Sequence, residues 1–272
     1  MDHSDFDLFS DLTPSETALL AAYSARITNR RADLLSTYPS TPAARTTAQN
    51  RHVFLTQRVI DSSLQQPVVI PSVWSQDECR TILSAILEYT NSAGAWSTQR
   101  HSAFPTTDIP VQSVPQISEF VHSTLRTRLL TSVISPRYGF HPSGRDLAFR
   151  DLFFVRYSAL DPDSQRSLGA HSDGCLVSFN VLLNGENEFE GGGTLFVKTG
   201  QTVRIRKGDA VVHDATSLHA GVEITKGVRY ICVGFVDTVD TVRNDERMKR
   251  DAGIAGTKAR GGREMRMMPA AS

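Results

Sequence analysis

His171, Asp173 and His219 are the residues of this 272-residue chain whose types and spacing could bind a metal. Two imidazoles and one carboxylate can hold one face of a ferrous ion and leave three positions for an oxidising co-substrate and dioxygen, which is oxygenase chemistry. In His171-Ser172-Asp173 the first and third side chains leave the same side of an extended segment, so both can reach one ion. The third ligand must arrive through folding. His219 sits in the short apolar run Leu218-His219-Ala220-Gly221-Val222, behind the turn Asp214-Ala215-Thr216-Ser217, and this pattern predicts a strand.

A His-x-Asp triplet alone is weak, because it also describes a solvated loop histidine beside a turn-forming aspartate. The chain holds a second copy, His3-Ser4-Asp5, in a polar N-terminus with no framework to hold a metal. The surroundings of His171 differ. An apolar run from Leu176 to Asn184, an Asn184-Gly185 turn and the triplet Gly191-Gly192-Gly193 leading into Thr194-Leu195-Phe196 predict a hairpin beside the metal.

From Val68 to Val236 the chain resembles the iron- and 2-oxoglutarate-dependent dioxygenases, specifically the prolyl and lysyl hydroxylase branch. The resemblance is carried by Phe154-Val155-Arg156-Tyr157, His171-Ser172-Asp173, Phe179-Asn180-Val181-Leu182-Leu183-Asn184, Phe189-Glu190-Gly191-Gly192-Gly193-Thr194, His219 and Arg229. Val69 to Cys79 looks like the opening strand and first helix of that branch. The resemblance implies an α+β fold with a mainly β core, a double-stranded β-helix (jelly roll) with flanking helices and iron at its open end. It implies Fe(II), 2-oxoglutarate and O2 as cofactor and co-substrates, with ascorbate as an optional reductant. In such a site 2-oxoglutarate chelates the metal, and its far carboxylate needs a cation. Arg229 is the candidate, since a guanidinium is a permanently charged planar fork. Tyr157 resembles the tyrosine that donates a hydrogen bond to the co-substrate, and Asn180 and Thr194, on strands that line the mouth, are secondary candidates for the same task.

The carboxylate of Asp173 also selects the reaction. Halogenating relatives replace it with a small residue, so its presence here implies hydroxylation of an unactivated C–H bond, with release of succinate and CO2. The preferred substrate is a prolyl or lysyl side chain of a protein or peptide. A small molecule or free amino acid is the alternative, and a non-catalytic β-barrel binding protein a third reading that the intact ligand set opposes. Phe235 stands where nucleic-acid demethylases of this family carry a second arginine, which disfavours a nucleic-acid partner.

The elements that must position these residues are legible as short strands at Phe153 to Tyr157, Val177 to Leu183, Thr194 to Val197, Val203 to Ile205, Ala210 to Val212 and Arg229 to Val236. Lys207-Gly208-Asp209 and Thr225-Lys226-Gly227 are turns between them. Many short strands with regular turns argue for a closed or sandwiched β architecture. Ser75 is the predicted cap of a helix over Gln76 to Thr90 with Cys79, Ile82, Leu83, Ile86 and Leu87 on one face, and a further helix is expected over Pro115 to Thr131. Thr13-Pro14-Ser15-Glu16 starts an N-terminal helix, and Val53 to Leu64 carries a second. The expected division is a helical extension over 1–65 packing on the core, a dioxygenase domain over 66–238, and a basic, flexible tail over 239–272. Asn91 to Val114 and Ser158 to Gly169 are read as mobile segments able to close over substrate.

Composition agrees with one catalytic domain. Lys plus Arg and Asp plus Glu are 29 each, so no global field selects nucleic acid or an anionic membrane. Cys79, Cys175 and Cys232 are too few for a disulfide scaffold and form no Cys-x-x-Cys pair. The start lacks a basic region followed by an apolar stretch, and no run is long enough to span a bilayer, so an intracellular enzyme, cytoplasmic or nuclear and without membrane attachment, is expected. Lys258-Ala259-Arg260-Gly261-Gly262-Arg263 is read as solvated tail.

Overall fold

A computed structural model of the protein describes residues 13–92, 96–101 and 104–251. His3-Ser4-Asp5 and the tail from Gly253, including Lys258 to Arg263, lie outside the described residues.

Eleven strands are described: β1 (Val68–Ile70), β2 (Asp108–Pro110), β3 (Leu147–Ser158), β4 (Leu168–His171), β5 (Val177–Leu182), β6 (Phe189–Gly191), β7 (Thr194–Phe196), β8 (Gln201–Val203), β9 (Ala210–Asp214), β10 (His219–Gly221) and β11 (Ile224–Thr238). The larger sheet runs β1-β9-β5-β11-β3-β2, with β6 paired to β11 off that path, and the smaller runs β4-β10-β7-β8. All pairings are antiparallel. This is the two-sheet jelly roll that the resemblance implies, and it agrees with the sandwiched architecture read from the strand pattern.

Strand alternation divides the core in two. On β3, Phe154 turns toward the helices while Phe153, Val155 and Tyr157 turn toward the smaller sheet; on β11, Cys232 and Val236 go one way and Ile231 the other. On β5, Phe179 and Val181 join the helix-side cluster and Leu182 the one between the sheets. A strand buried on both faces reads as a nearly continuous apolar run, which is why these segments were visible in the sequence.

The helices are α1 (Pro14–Ser36), α2 (Thr47–Ile60), α3 (Gln76–Ser92), α4 (Pro115–Leu125), α5 (Ser135–Arg137) and α6 (Val239–Asp251). The Ser75 hydroxyl accepts from the Glu78 N–H at 3.1 Å, and the Glu78 carboxylate accepts from the Ser75 N–H at 2.8 Å, so the predicted cap of α3 is a reciprocal capping box. Its buried face is Cys79, Ile82, Ala85 and Ile86; Leu87, expected there, is 37% exposed. The expected helix over Pro115 to Thr131 instead leaves α-helical geometry at Arg126, runs as a π-helix to Ile134 and re-enters α geometry at α5. Pro136 has no N–H to donate backward, and the wider π turn is where the helical register changes. α2 starts at Thr47, ahead of the expected Val53, with a capping box between Thr46 and Gln49, and buries Asn50, Val53, Phe54 and Thr56. The side chains of α1, by contrast, are mostly exposed, with Leu19 and Tyr23 at 73% and 60%.

Three other expectations change. The Leu176 to Phe196 stretch is not a hairpin: β5 lies in the larger sheet between β9 and β11, whereas β7 pairs with β10 and β8 in the smaller. The glycines between them carry the chain across, all three at positive φ, which only glycine adopts without strain. Of the segments read as mobile, the first contains the edge strand β2 and the second runs into the edge strand β4, and Gln165 ties them together. Its carboxamide accepts from the Thr107 N–H at 2.6 Å and donates to the Pro105 carbonyl at 3.0 Å. The tail opens as α6, held by Arg150 to Asp245 at 2.8 Å. Among the described residues no helix is long and apolar enough to cross a membrane.

Candidate active site

His171 closes β4 and His219 opens β10, and these two strands pair with His219 directly opposite His171. Cross-strand register, not sequence proximity, therefore sets the imidazoles side by side, with ring centroids 4.4 Å apart. Asp173 lies two residues beyond β4, where its N–H donates to the Ala215 carbonyl at 2.8 Å. Its two carboxylate oxygens lie 3.5 Å from His171 Nε2 and 3.7 Å from His219 Nε2. One donor atom from each residue falls within 4.8 Å of the others.

The donor set fits a divalent cation. His171 Nδ1 is 2.8 Å from the Gly169 carbonyl and His219 Nδ1 is 2.9 Å from the Ser217 carbonyl. A carbonyl only accepts, so each Nδ1 must carry its proton and each Nε2 presents a lone pair beside the Asp173 carboxylate. Burial lowers the His219 pKa. Burial also opposes charge on His171, but hydrogen bonds to Asp173 and the Gly169 carbonyl hold it above its ordinary value. Burial raises Asp173, and the His171 hydrogen bond and the nearby His219 outweigh it and hold it low. A cation bound between them would displace any proton held between His171 Nε2 and the Asp173 carboxylate.

Arg229 lies on β11 opposite Tyr157 on β3. It is 3% exposed, and no carboxylate of the described residues comes within ion-pair distance of it. Its guanidinium stands 5.7 Å from the centre of the Tyr157 ring. Burial lowers its pKa, and a guanidinium so held stays charged. A side chain at Gly192 would put its Cβ 3.1 Å from Arg229 Cδ, and one at Gly221 would lie 3.1 Å from the Tyr157 hydroxyl, so these glycines leave the space that both groups occupy. Burial raises the Tyr157 pKa and keeps its hydroxyl a donor. Asn180 Nδ2 donates to Thr194 Oγ1 at 3.3 Å across the two sheets, and Asn180 Oδ1 has no hydrogen-bond partner.

All seven residues singled out in the sequence, His171, Asp173, His219, Arg229, Tyr157, Asn180 and Thr194, line one cavity of about 450 Å³. Phe104, Phe153 and Phe235 also line it, with the Phe104 ring 5.0 Å from His171. Sequence reasoning missed two contributors. His213 is 2% exposed, lies with its ring centroid 4.5 Å from that of His219 at a tilt of 60°, and has its pKa pushed down to about 4 by burial and then by His219. Alternation in Ala210-Val211-Val212-His213 could have found it, since Val211 and His213 share the face toward the smaller sheet. Arg100 is the other, bonded to Asp108 and, through Nη2, to both oxygens of Asp151 at 3.1 and 2.9 Å. Nothing in its local sequence marked it.

Two imidazoles and a carboxylate converge between the sheets of a jelly roll, in one cavity with a cation that has no carboxylate partner among the described residues, a donor set of the kind that binds Fe(II). The chain's homologues are procollagen-lysine 2-oxoglutarate dioxygenases. It is 39% identical over 139 residues to procollagen-lysine,2-oxoglutarate 5-dioxygenase 1 of Rattus norvegicus, covering 49% of this chain and 18% of that one. It is 29% identical over 178 residues to procollagen-lysine,2-oxoglutarate 5-dioxygenase 2 of Homo sapiens, covering 61% and 23%. The chain thus spans less than a quarter of the length of these relatives. Among solved structures it is similar to a viral collagen prolyl hydroxylase from Paramecium Bursaria Chlorella virus-1, with a TM-score of 0.39 and 17% identity over 62% of this chain and 94% of that one. A 2OG-Fe(II) oxygenase family oxidoreductase from Burkholderia pseudomallei gives a TM-score of 0.48 and 14% identity, covering 71% and 91%. No protein-family model matches the chain.

Proposed function

We propose that the protein is an Fe(II)- and 2-oxoglutarate-dependent dioxygenase that hydroxylates a prolyl or lysyl side chain of a protein or peptide, releasing succinate and CO2. The observation that carries this reading is Arg229, a guanidinium buried in the cavity that holds the triad, with no carboxylate partner among the described residues. An unpaired buried charge costs several kcal/mol, and a dicarboxylate bound at the metal would supply the missing partner.

His171, Asp173 and His219 would hold the ion by one face. Bound iron with 2-oxoglutarate supplies the redox chemistry that turns a C–H bond into an alcohol using dioxygen. The chain's own residues bind, orient and exclude water. Arg229 takes the distal carboxylate of the co-substrate, the Tyr157 hydroxyl donates to it, and the unpartnered Asn180 Oδ1 offers one further acceptor beside Thr194. Phe104, Phe153 and Phe235 give the cavity apolar walls, which strengthen the polar contacts inside. The names of the collagen-modifying relatives support a protein or peptide substrate.

Anaerobic protein loaded with Fe(II) and 2-oxoglutarate is expected to develop the weak visible charge-transfer band of the chelate. A folded, iron-loaded protein without that band would sink the proposal. For the substrate, prolyl and lysyl peptides are expected to stimulate succinate release above the level without substrate. Stimulation by metabolites alone would move the substrate to a small molecule.

A further inference from the structure

The geometry points to Arg58 and Asp214 as positioning residues through which the N-terminal helix α2 holds the metal ligands in place. The inference rests on the proposed iron site and concerns residues outside its cavity wall.

Four consecutive residues, Asp214 to Ser217, fix the ligands from behind. The Ala215 carbonyl accepts from the Asp173 N–H at 2.8 Å, and the Ser217 carbonyl accepts from His219 Nδ1 at 2.9 Å. The Asp214 carbonyl accepts from His213 Nδ1 and from the Ser217 N–H, both at 3.0 Å. Two of the three ligands and the neighbouring His213 are therefore oriented by one short turn. What shapes that turn is the Asp214 side chain, fully buried, whose Oδ1 accepts from the Thr216 N–H and the Thr216 hydroxyl at 2.8 Å each.

A fully buried carboxylate needs a counter-charge. Among the described residues the one cation within ion-pair distance of Asp214 is Arg58 of α2, with Nη1 3.4 Å from the same Oδ1. The Asp214 Oδ2 has no hydrogen-bond partner, so beside the two Thr216 bonds to Oδ1 Arg58 supplies the positive charge. The Arg58 guanidinium is itself fixed, 5.5 Å from the centre of the Phe54 ring. A second tie joins the same two segments: the Gln65 carbonyl accepts from the Ser217 hydroxyl at 3.4 Å, and Gln65 Nε2 donates to the Arg58 carbonyl at 2.9 Å. Outer partners of this kind typically change metal affinity by ~10–100-fold when removed.

The test titrates metal-free full-length protein with Co(II) alone, reads affinity from its visible spectrum, and follows the His219 Nδ1–H by long-range ¹⁵N NMR. Arg58→Met is expected to weaken Co(II) binding about tenfold or more and to shift the His219 tautomer away from Nδ1–H, while Arg58→Lys restores most of both. Should Arg58→Met not fold, Arg58→Met combined with Asp214→Asn removes the buried unpaired charge and is expected to show the same loosening. Folded variants with wild-type Co(II) affinity and tautomer would overturn the positioning role, even if they melt earlier. A wild-type protein that does not bind Co(II) would instead overturn the iron site itself, and this inference with it.

Discussion

At the scale of single residues the site separates metal binding from co-substrate binding. His219 offers Nε2 beside Asp173, whereas Arg229 lies on a different strand in the same cavity. His219→Ala is therefore expected to abolish Fe(II) or Co(II) binding. Arg229→Ala should leave metal affinity near wild type and raise the 2-oxoglutarate requirement about 30-fold or more, the ~2 kcal/mol expected of hydrogen bonds to a charged group. Equal loss of metal in both variants would contradict these roles. The residues of the triad were legible because His-x-Asp puts two donors on one side of an extended segment. His213 was passed over, because alternation along its strand gives only the face it shares with Val211 and no spacing ties it to the other donors.

At the scale of elements, alternation along β3, β5 and β11 decides which side chains reach the cavity and which reach the helices. Where β5 and β11 pair, Gly234 stands opposite Phe179, and a Cβ at Gly234 would lie 2.2 Å from Phe179 Cζ and 2.8 Å from Leu152 Cδ2. Such overlap cannot be relieved without displacing a buried ring. Gly234→Ala is expected to destabilise the fold by about 1–3 kcal/mol, measured as a lowered urea midpoint, with metal affinity retained in the folded fraction. An unchanged midpoint would show that Phe179 has room to move. The long strands were legible from their apolar runs. The three- and four-residue strands β2 and β4 were not, since Asp108-Ile109-Pro110 and Leu168-Gly169-Ala170-His171 are too short and too rich in turn-forming or flexible residues to show a period.

At the scale of the whole molecule, the helices are fastened to the larger sheet by a shared apolar core, and ion pairs at their ends add to it. Glu78, in the first turn of α3, holds Arg128 of the π-helical segment at 2.8 Å, and the Arg128 hydrogen bond drives its pKa down to about 2. A carboxyl whose pKa falls on folding contributes stability above its ordinary value near 4.5, and that contribution fades as pH drops toward 2. Glu78→Gln should thus lower the urea midpoint at neutral pH, modestly because Arg128 is 40% exposed, and match wild type near pH 2. A difference that persists undiminished at pH 2 would assign the effect to packing instead.

By itself the sequence determined the chemistry on offer: a His-x-Asp pair, a later histidine and an arginine ten residues on, carried by apolar runs whose alternation and turns argue for a closed or sandwiched β fold. Those features are local, written in residue type and in the period of the backbone. Only the tertiary structure decided that His219 pairs directly with His171, that the glycine triplet crosses between sheets, and that Arg229 is buried with no carboxylate partner among the described residues. It also brought Arg58 of an N-terminal helix against Asp214, 156 residues away in the chain. Strand register and charge pairing over such separations are set by how whole elements pack, and no window of sequence contains that information.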